Sequence, residues 1–124
     1  MRILVADDDR VITTLICGVL AKAGHKTTPA LDAMQALMFA LRAPAPELIV
    51  LDVNMPGGTG IEALRRLKQS SRTRNIPVIV VSGVDDPAMP RRMRELGALD
   101  VLPKPVDPAH LLEVVDRALG RAVA

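Results

Sequence analysis

Short runs of β-branched or leucine-rich residues alternate along this chain with longer segments of helical period, and no other feature narrows the possible folds as far. The pattern reads as five strand–helix units, the signature of a parallel sheet with crossover helices. Strands are expected at Ile3 to Ala6, at Lys26 to Thr28, at Leu48 to Leu51, from Pro77 through Ser82, and at Asp100 to Leu102. After the first strand, Ile12, Leu15, Ile16, Val19 and Ala23 fall on the apolar stripe of a helix, which Gly24 ends as its C′ residue. The second strand is weak and leads through Pro29 to a helix from about Ala33 to Leu41, stopped by Ala43-Pro44-Ala45-Pro46. Beyond the Gly57-Gly58-Thr59-Gly60 loop, Thr59 with Glu62 reads as a capping box opening a helix to about Gln69. Asp86 and Pro87 read as N-cap and N1 of a fourth helix, which Pro90 should shorten or distort. Asp107-Pro108 opens the last helix, with Leu111, Leu112, Val115, Ala118 and Leu119 as its stripe.

Composition sets the class. At 124 residues there is room for one domain, 1–124, and not for a second folded output module, while 49% hydrophobic residues suffice for a core. The apolar runs fall far short of the roughly 20 residues of a membrane span. Met1 leads straight into a strand-like run with no secretory pattern, so a cytoplasmic location and no membrane contact are expected. The lone Cys17 has no partner for a disulfide or a metal site. With Phe39 as the only aromatic, there is no stacking platform for flavin or single-stranded nucleic acid. The basic groups Arg65, Arg66, Lys68, Arg72, Arg74 and Arg91, Arg92, Arg94 read as solvated helix faces, so no direct nucleic-acid binding is expected.

In an open parallel sheet the ligand site lies beyond the carboxyl ends of the strands, where the strand order reverses. The residues just past each strand are Asp7, Asp8 and Asp9, then Asp52 with Asn54, then Ser82 at the end of strand four, and Lys104 after strand five. Crowded carboxylates repel one another unless a cation compensates. Oxygen-only ligation with room for waters fits Mg²⁺. A carboxylate can attack phosphorus to give an acyl phosphate without a base, and phosphoryl transfer mainly asks for positioning and charge neutralisation. In that chemistry Asp52 attacks, Mg²⁺ and the Lys104 ammonium take up charge, and the Ser82 hydroxyl donates to a phosphoryl oxygen. Taken singly, each residue has a plainer explanation. Asp8 or Asp9 caps the first helix, Asp52 is a loop carboxylate, and Lys104 is a surface lysine. Their joint placement at one sheet edge carries the argument.

These residues and motifs are similar to those of bacterial response-regulator receiver domains over the whole chain. The matching stretches are Ile3-Leu4-Val5-Ala6-Asp7-Asp8-Asp9, Leu51-Asp52-Val53-Asn54-Met55-Pro56 with Gly60, Val80-Val81-Ser82-Gly83, Gly97-Ala98 and Lys104-Pro105. The resemblance implies a doubly wound, flavodoxin-like α/β fold with five parallel strands in order 2-1-3-4-5 and five helices. It implies Asp52 as phosphoacceptor, Mg²⁺ held by Asp8, Asp52 and the Asn54 backbone carbonyl with Asp7 acting through water, and Ser82 and Lys104 on the phosphoryl group. It further implies a cis Lys104-Pro105 peptide, and a histidine kinase or histidine phosphotransfer protein as the phosphoryl donor. Such a module is self-phosphorylating and self-dephosphorylating rather than a turnover enzyme. It signals by altered docking to a downstream protein or by phosphorelay.

Departures from the family pattern bear on the output. Val101 stands where receivers usually carry an aromatic, Ser82 where Thr is frequent, Gly83 where Ala is common, and Val106 where Phe is common. Without the aromatic switch, the change on activation is expected as backbone movement from Gly83 to Leu96. An aspartyl-phosphate phosphatase needs a carboxylic acid where this chain has Asn54. A flavodoxin-like cofactor binder is opposed by the near absence of aromatics. A receiver that only docks is opposed by the intact Asp7, Asp8, Asp52 and Lys104. A receiver excised from a larger regulator or hybrid kinase has the same motifs.

Overall fold

The computed structural model describes residues 1–55, 59–83 and 87–123, with side chains described for all of these except 59 and 121–123. Ten elements alternate: β1 (Arg2–Ala6), α1 (Arg10–Lys22), β2 (Lys26–Ala30), α2 (Ala33–Leu41), β3 (Leu48–Asp52), α3 (Thr59–Gln69), β4 (Val78–Ser82), α4 (Met89–Glu95), β5 (Asp100–Pro103) and α5 (Pro108–Val123). The strands form one parallel sheet in the order β2-β1-β3-β4-β5, as the resemblance implies.

All five residues of β3 and of β4 are buried because helices cover both faces of the sheet, and that is why these strands read as continuous apolar runs. Alternate residues feed two cores. Leu4, Ile49, Leu51, Val78 and Val80 pack with Ala36 of α2, Leu64 of α3 and Met93 of α4. Ile3, Val5, Leu48, Val50, Ile79 and Val81 pack with Ile16 and Leu20 of α1 and Leu111 and Val115 of α5. No helix among the described residues is long and apolar enough to cross a membrane.

Several helix ends follow the local chemistry read from the sequence. Asp9 caps α1, its Oδ1 accepting from the N–H groups of Val11 at 2.8 Å and Ile12 at 3.2 Å. Gly24, at φ +93°, follows the C-cap residue in the left-handed region. Asp107 Oδ1 accepts from the Ala109 N–H at the start of α5. Gly57 and Gly58 lie outside the described residues, as does the Thr59 side chain of the expected capping box; the Glu62 carboxylate accepts from Arg65 and Arg66 instead.

Elsewhere the structure corrects the sequence reading. The strand β2 continues through Pro29 to Ala30 rather than ending before the proline, which an edge strand tolerates because one side of its backbone makes no ladder bonds. On α1, Leu15 is 63% exposed while Thr13 and Leu20 are buried, so the stripe facing the sheet is rotated from the one expected. In α5 Val114 joins the buried face and Leu112 is only partly buried. The fourth helix begins at Met89 with Ala88 as N-cap, not at Pro87, and Asp86 lies outside the described residues. Starting there places Pro90 in the first turn, where the missing N–H and the ring cost nothing. A start at Pro87 would have put Pro90 against a preceding turn. The helix is accordingly only seven residues long.

Of the basic clusters, Arg65, Arg66, Arg72, Arg74, Arg91, Arg92 and Arg94 are exposed as expected, and Lys68 is the exception. Lys68 is half-buried, and its Nζ donates to the carbonyls of Arg74 at 3.1 Å and Ile76 at 2.8 Å; burial lowers its pKa. Its stem lies so close beneath Gly97 that a Cβ there would sit 2.7 Å from Lys68 Cγ. Arg72 donates to the Leu41 carbonyl, Arg91 pairs with Glu95, and Arg94 with Asp100.

Candidate functional site

The site follows from strand order and register. Because the connection after β1 runs to β2 on one side and the connection after β3 runs to β4 on the other, the ends of β1 and β3 border an open crevice. Ala6 pairs with Leu51, so Asp7 and Asp52 emerge side by side. The Asp7 N–H extends the ladder by donating to the Ala30 carbonyl at 3.0 Å, and the Val53 N–H does so toward Val81 at 3.2 Å. On the far side Ser82 pairs with Pro103, and the Lys104 N–H donates to the Ser82 carbonyl at 3.0 Å, which brings Lys104 to the same edge. The Lys104-Pro105 peptide is cis, as the resemblance implies, and so is Ala43-Pro44.

The structure gathers the residues singled out in the sequence. Carboxylate oxygens of Asp7, Asp8 and Asp52 lie within 4.8 Å of one another, with Asp7 and Asp52 buried and Asp8 exposed. Asp9 stays out of this cluster and serves as the helix cap. Two N–H groups fix the buried pair: Asp9 N–H donates to Asp7 Oδ1 at 2.9 Å, and Asn54 N–H donates to Asp52 Oδ1 at 2.8 Å. Ser82 is buried at the end of β4.

Lys104 is not waiting for an incoming group, as the sequence suggested. Its Nζ stands 3.0 Å from Asp52 Oδ2, a charge-assisted hydrogen bond, and 3.5 Å from Asp7 Oδ2, an ion pair too long for good hydrogen-bond geometry. Burial by itself lowers the pKa of this ammonium, but the hydrogen bond and charge of Asp52, with the charge of Asp7, outweigh it and hold the group above its ordinary value. Asp7 behaves oppositely. Burial first, and then the neighbouring charge of Asp52, raise its pKa from 3.8 to about 6 despite the Asp9 N–H and Lys104.

The donor set fits a hard cation. Asp7 Oδ2 is buried without a hydrogen-bond partner, and the one ammonium at the cluster pairs with only two of its three carboxylates, Asp52 and Asp7. All the available donors are oxygens, the ligands that small divalent cations of the Mg²⁺ type take.

Three residues gained roles that the sequence did not reveal. Thr13, buried on α1, donates through Oγ1 toward the carbonyls of Asp7 at 3.1 Å and Asp9 at 2.9 Å, pinning the acidic turn to the helix. Its only sequence mark is its place four residues after the cap. At Gly60 a Cβ would sit 2.5 Å from both the Asp52 carbonyl oxygen and Val53 Cα, so α3 abuts the end of β3 at a distance only glycine permits. Asn54 contributes its side chain as well as its backbone, Oδ1 accepting from the Gly83 N–H at 2.6 Å.

Comparison with known proteins agrees with this geometry. Residues 3–116 match the model of the response regulator receiver domain family. The chain is 36% identical over 120 residues to the phosphate regulon transcriptional regulatory protein PhoB of Escherichia coli K12, covering 97% of this chain and 52% of that one. It is 38% identical over 120 residues to the response regulator PleD of Caulobacter vibrioides, covering 97% of this chain and 26% of that one. It thus spans about half the length of the PhoB relatives it matches. Among solved structures, the receiver domain of the Francisella response regulator 1452 superposes with a TM-score of 0.87 at 32% identity, covering 98% of each chain. The Vibrio cholerae chemotaxis protein CheY4 gives 0.85 at 29% identity, covering 94% of this chain and 97% of that one. A match over nearly the whole chain, on the fold and strand order the family shares, identifies this protein as a response regulator receiver domain of the two-component systems.

Proposed function

We propose that this receiver accepts a phosphoryl group on Asp52 from the phosphohistidine of a histidine kinase or histidine phosphotransfer protein, in a Mg²⁺-dependent reaction. The observation that carries the reading is the Lys104 ammonium 3.0 Å from Asp52 Oδ2, at the edge of a three-carboxylate cluster. A carboxylate oxygen of Asp52 attacks phosphorus as the P–N bond to the donor imidazole breaks, leaving an acyl phosphate on Asp52 and the electron pair on the leaving nitrogen. Mg²⁺, held by Asp8, Asp52 and the Asn54 backbone carbonyl with Asp7 through a water, would supply charge neutralisation at the phosphoryl oxygens. Lys104 already faces the carboxylate that reacts and follows the transferred charge, and the Ser82 hydroxyl donates to one of its oxygens. No proton has to be removed from the nucleophile, so the site needs no general base.

Asn54 speaks against a phosphatase, since its amide offers no acid and its Oδ1 accepts from Gly83. In this reading residues 1–124 form one domain in the cytoplasm. It phosphorylates and dephosphorylates itself rather than turning over a substrate, and passes its state on by docking or phosphorelay.

Intact-mass measurement after incubation with acetyl phosphate tests it. With Mg²⁺ the wild type gains one phosphate, and without Mg²⁺ or in Asp52→Asn it gains none. Phosphate retained by Asp52→Asn would assign the acceptor elsewhere.

A further inference from the structure

Two backbone N–H groups lie just beyond the ends of β3 and β4. That of Asn54 already donates to Asp52 Oδ1 at 2.8 Å. That of Gly83 donates to Asn54 Oδ1 at 2.6 Å, shorter than the usual N–H···O spacing of about 2.9 Å. Gly83 stands next to Ser82, whose carbonyl holds the Lys104 N–H, and a Cβ on Gly83 would lie 3.4 Å from Lys104 Cδ and 3.9 Å from Asn54 Oδ1. The Gly83 backbone is therefore walled by the stem of Lys104 on one side and the Asn54 amide on the other, beside the carboxylate that Lys104 contacts.

We propose that the Asn54 carboxamide is a positioning latch: in the resting protein it occupies the Gly83 N–H, and an anionic group added to Asp52 competes for that donor. The inference rests on the phosphoacceptor reading above and adds to it a role for the Asn54 side chain. An added phosphoryl group brings three anionic oxygens, and a charge-assisted hydrogen bond is roughly twice as strong as one to a neutral amide oxygen. The Gly83 N–H changes partner from Asn54 to the anion, and Asn54 Oδ1 is released. Its side chain thereby sets the affinity of the site for the added group by holding the resting arrangement, without itself touching the reacting atoms.

Amide hydrogen exchange in the metal-free protein tests the latch before any phosphoryl chemistry. Asn54 is exposed, so its variants retain the core. Asn54→Ala accelerates exchange at Gly83 about tenfold, while the Asp9 N–H, which donates to Asp7 Oδ1, is unaffected. Asn54→Asp, which keeps an acceptor oxygen in place, restores protection at Gly83. The second measurement is affinity for fluoroberyllate, a phosphoryl analogue, in the presence of Mg²⁺. Removing the competing acceptor should make Asn54→Ala bind about fivefold tighter than wild type. If the wild type binds fluoroberyllate but Asn54→Ala leaves either Gly83 exchange or this affinity unchanged, the latch is refuted and the phosphoacceptor reading stands. If the wild type binds no fluoroberyllate at all, the phosphoacceptor reading falls and the competition falls with it.

Discussion

Lys104 holds Asp52 as an ion pair in the resting site, Nζ to Oδ2 at 3.0 Å, although the two residues lie 52 positions apart and two strands away from each other. The same ammonium is 3.5 Å from Asp7 Oδ2. It is thus the counterion of the acidic cluster before a metal or a phosphoryl group arrives, and it competes with a divalent cation for the same carboxylates.

Lys104→Ala should therefore tighten Mg²⁺ binding, by about tenfold for loss of one charge near the ligands after allowance for solvent screening. The same variant accepts phosphate from acetyl phosphate more slowly, because the transferred charge loses its partner. Calorimetric titration with Mg²⁺ reads the first effect. Weaker binding in the variant would show that Lys104 orders the carboxylates rather than opposing the cation.

The raised pKa of Asp7 gives stability a pH dependence with a definite sign. Its folded value, about 6, lies above the ordinary 3.8, so the fold disfavours the ionised form. This group adds no penalty below about pH 4. The penalty grows as pH rises through the interval and is complete above about 6. A bound divalent cation removes it. Mg²⁺ should accordingly raise Tm more at pH 7.5 than at pH 5, and Asp7→Asn should raise the metal-free Tm at pH 7.5 by about 5 °C while abolishing most of the Mg²⁺ effect. Thermal melts at the two pH values check this, and an equal Mg²⁺ shift at both would contradict it.

The two glycines beside the site should respond differently to an added methyl. In Gly60→Ala the new Cβ meets backbone atoms of Asp52 and Val53 at 2.5 Å, which neither residue can yield without moving β3 or α3. A loss of about 3 kcal/mol or more is expected in chemical denaturation. In Gly83→Ala the nearest atom is Lys104 Cδ at 3.4 Å, an ordinary contact, and the stability change should stay within about 0.5 kcal/mol. Equal losses in the two variants would contradict the close packing of α3 on β3.

The parts of this protein that rest on local chemistry are legible in its residues. The runs at Leu48 to Leu51 and Val78 to Val81 are strands buried on both faces, and such strands carry no polar alternation to disguise them. Asp9 and Gly24 bound α1 through bonds and dihedrals that involve only their near neighbours. Asp7, Asp8, Asp52, Ser82 and Lys104 were recognisable because each follows or ends a strand, and parallel strands deliver their ends to one edge. Tertiary structure alone decided what those side chains do to one another. Whether Lys104 meets Asp7 depends on the register of β1, β3, β4 and β5, and the Asn54–Gly83 bond depends on where two separate strand ends come to rest. The rotation of α1 that buries Thr13 and exposes Leu15, and the shift of the α4 start to Met89, were set by packing against the sheet and by the first turn that accepts Pro90. Periodicity shows that a helix has an apolar face, but the sheet it meets fixes which residues of that face are buried.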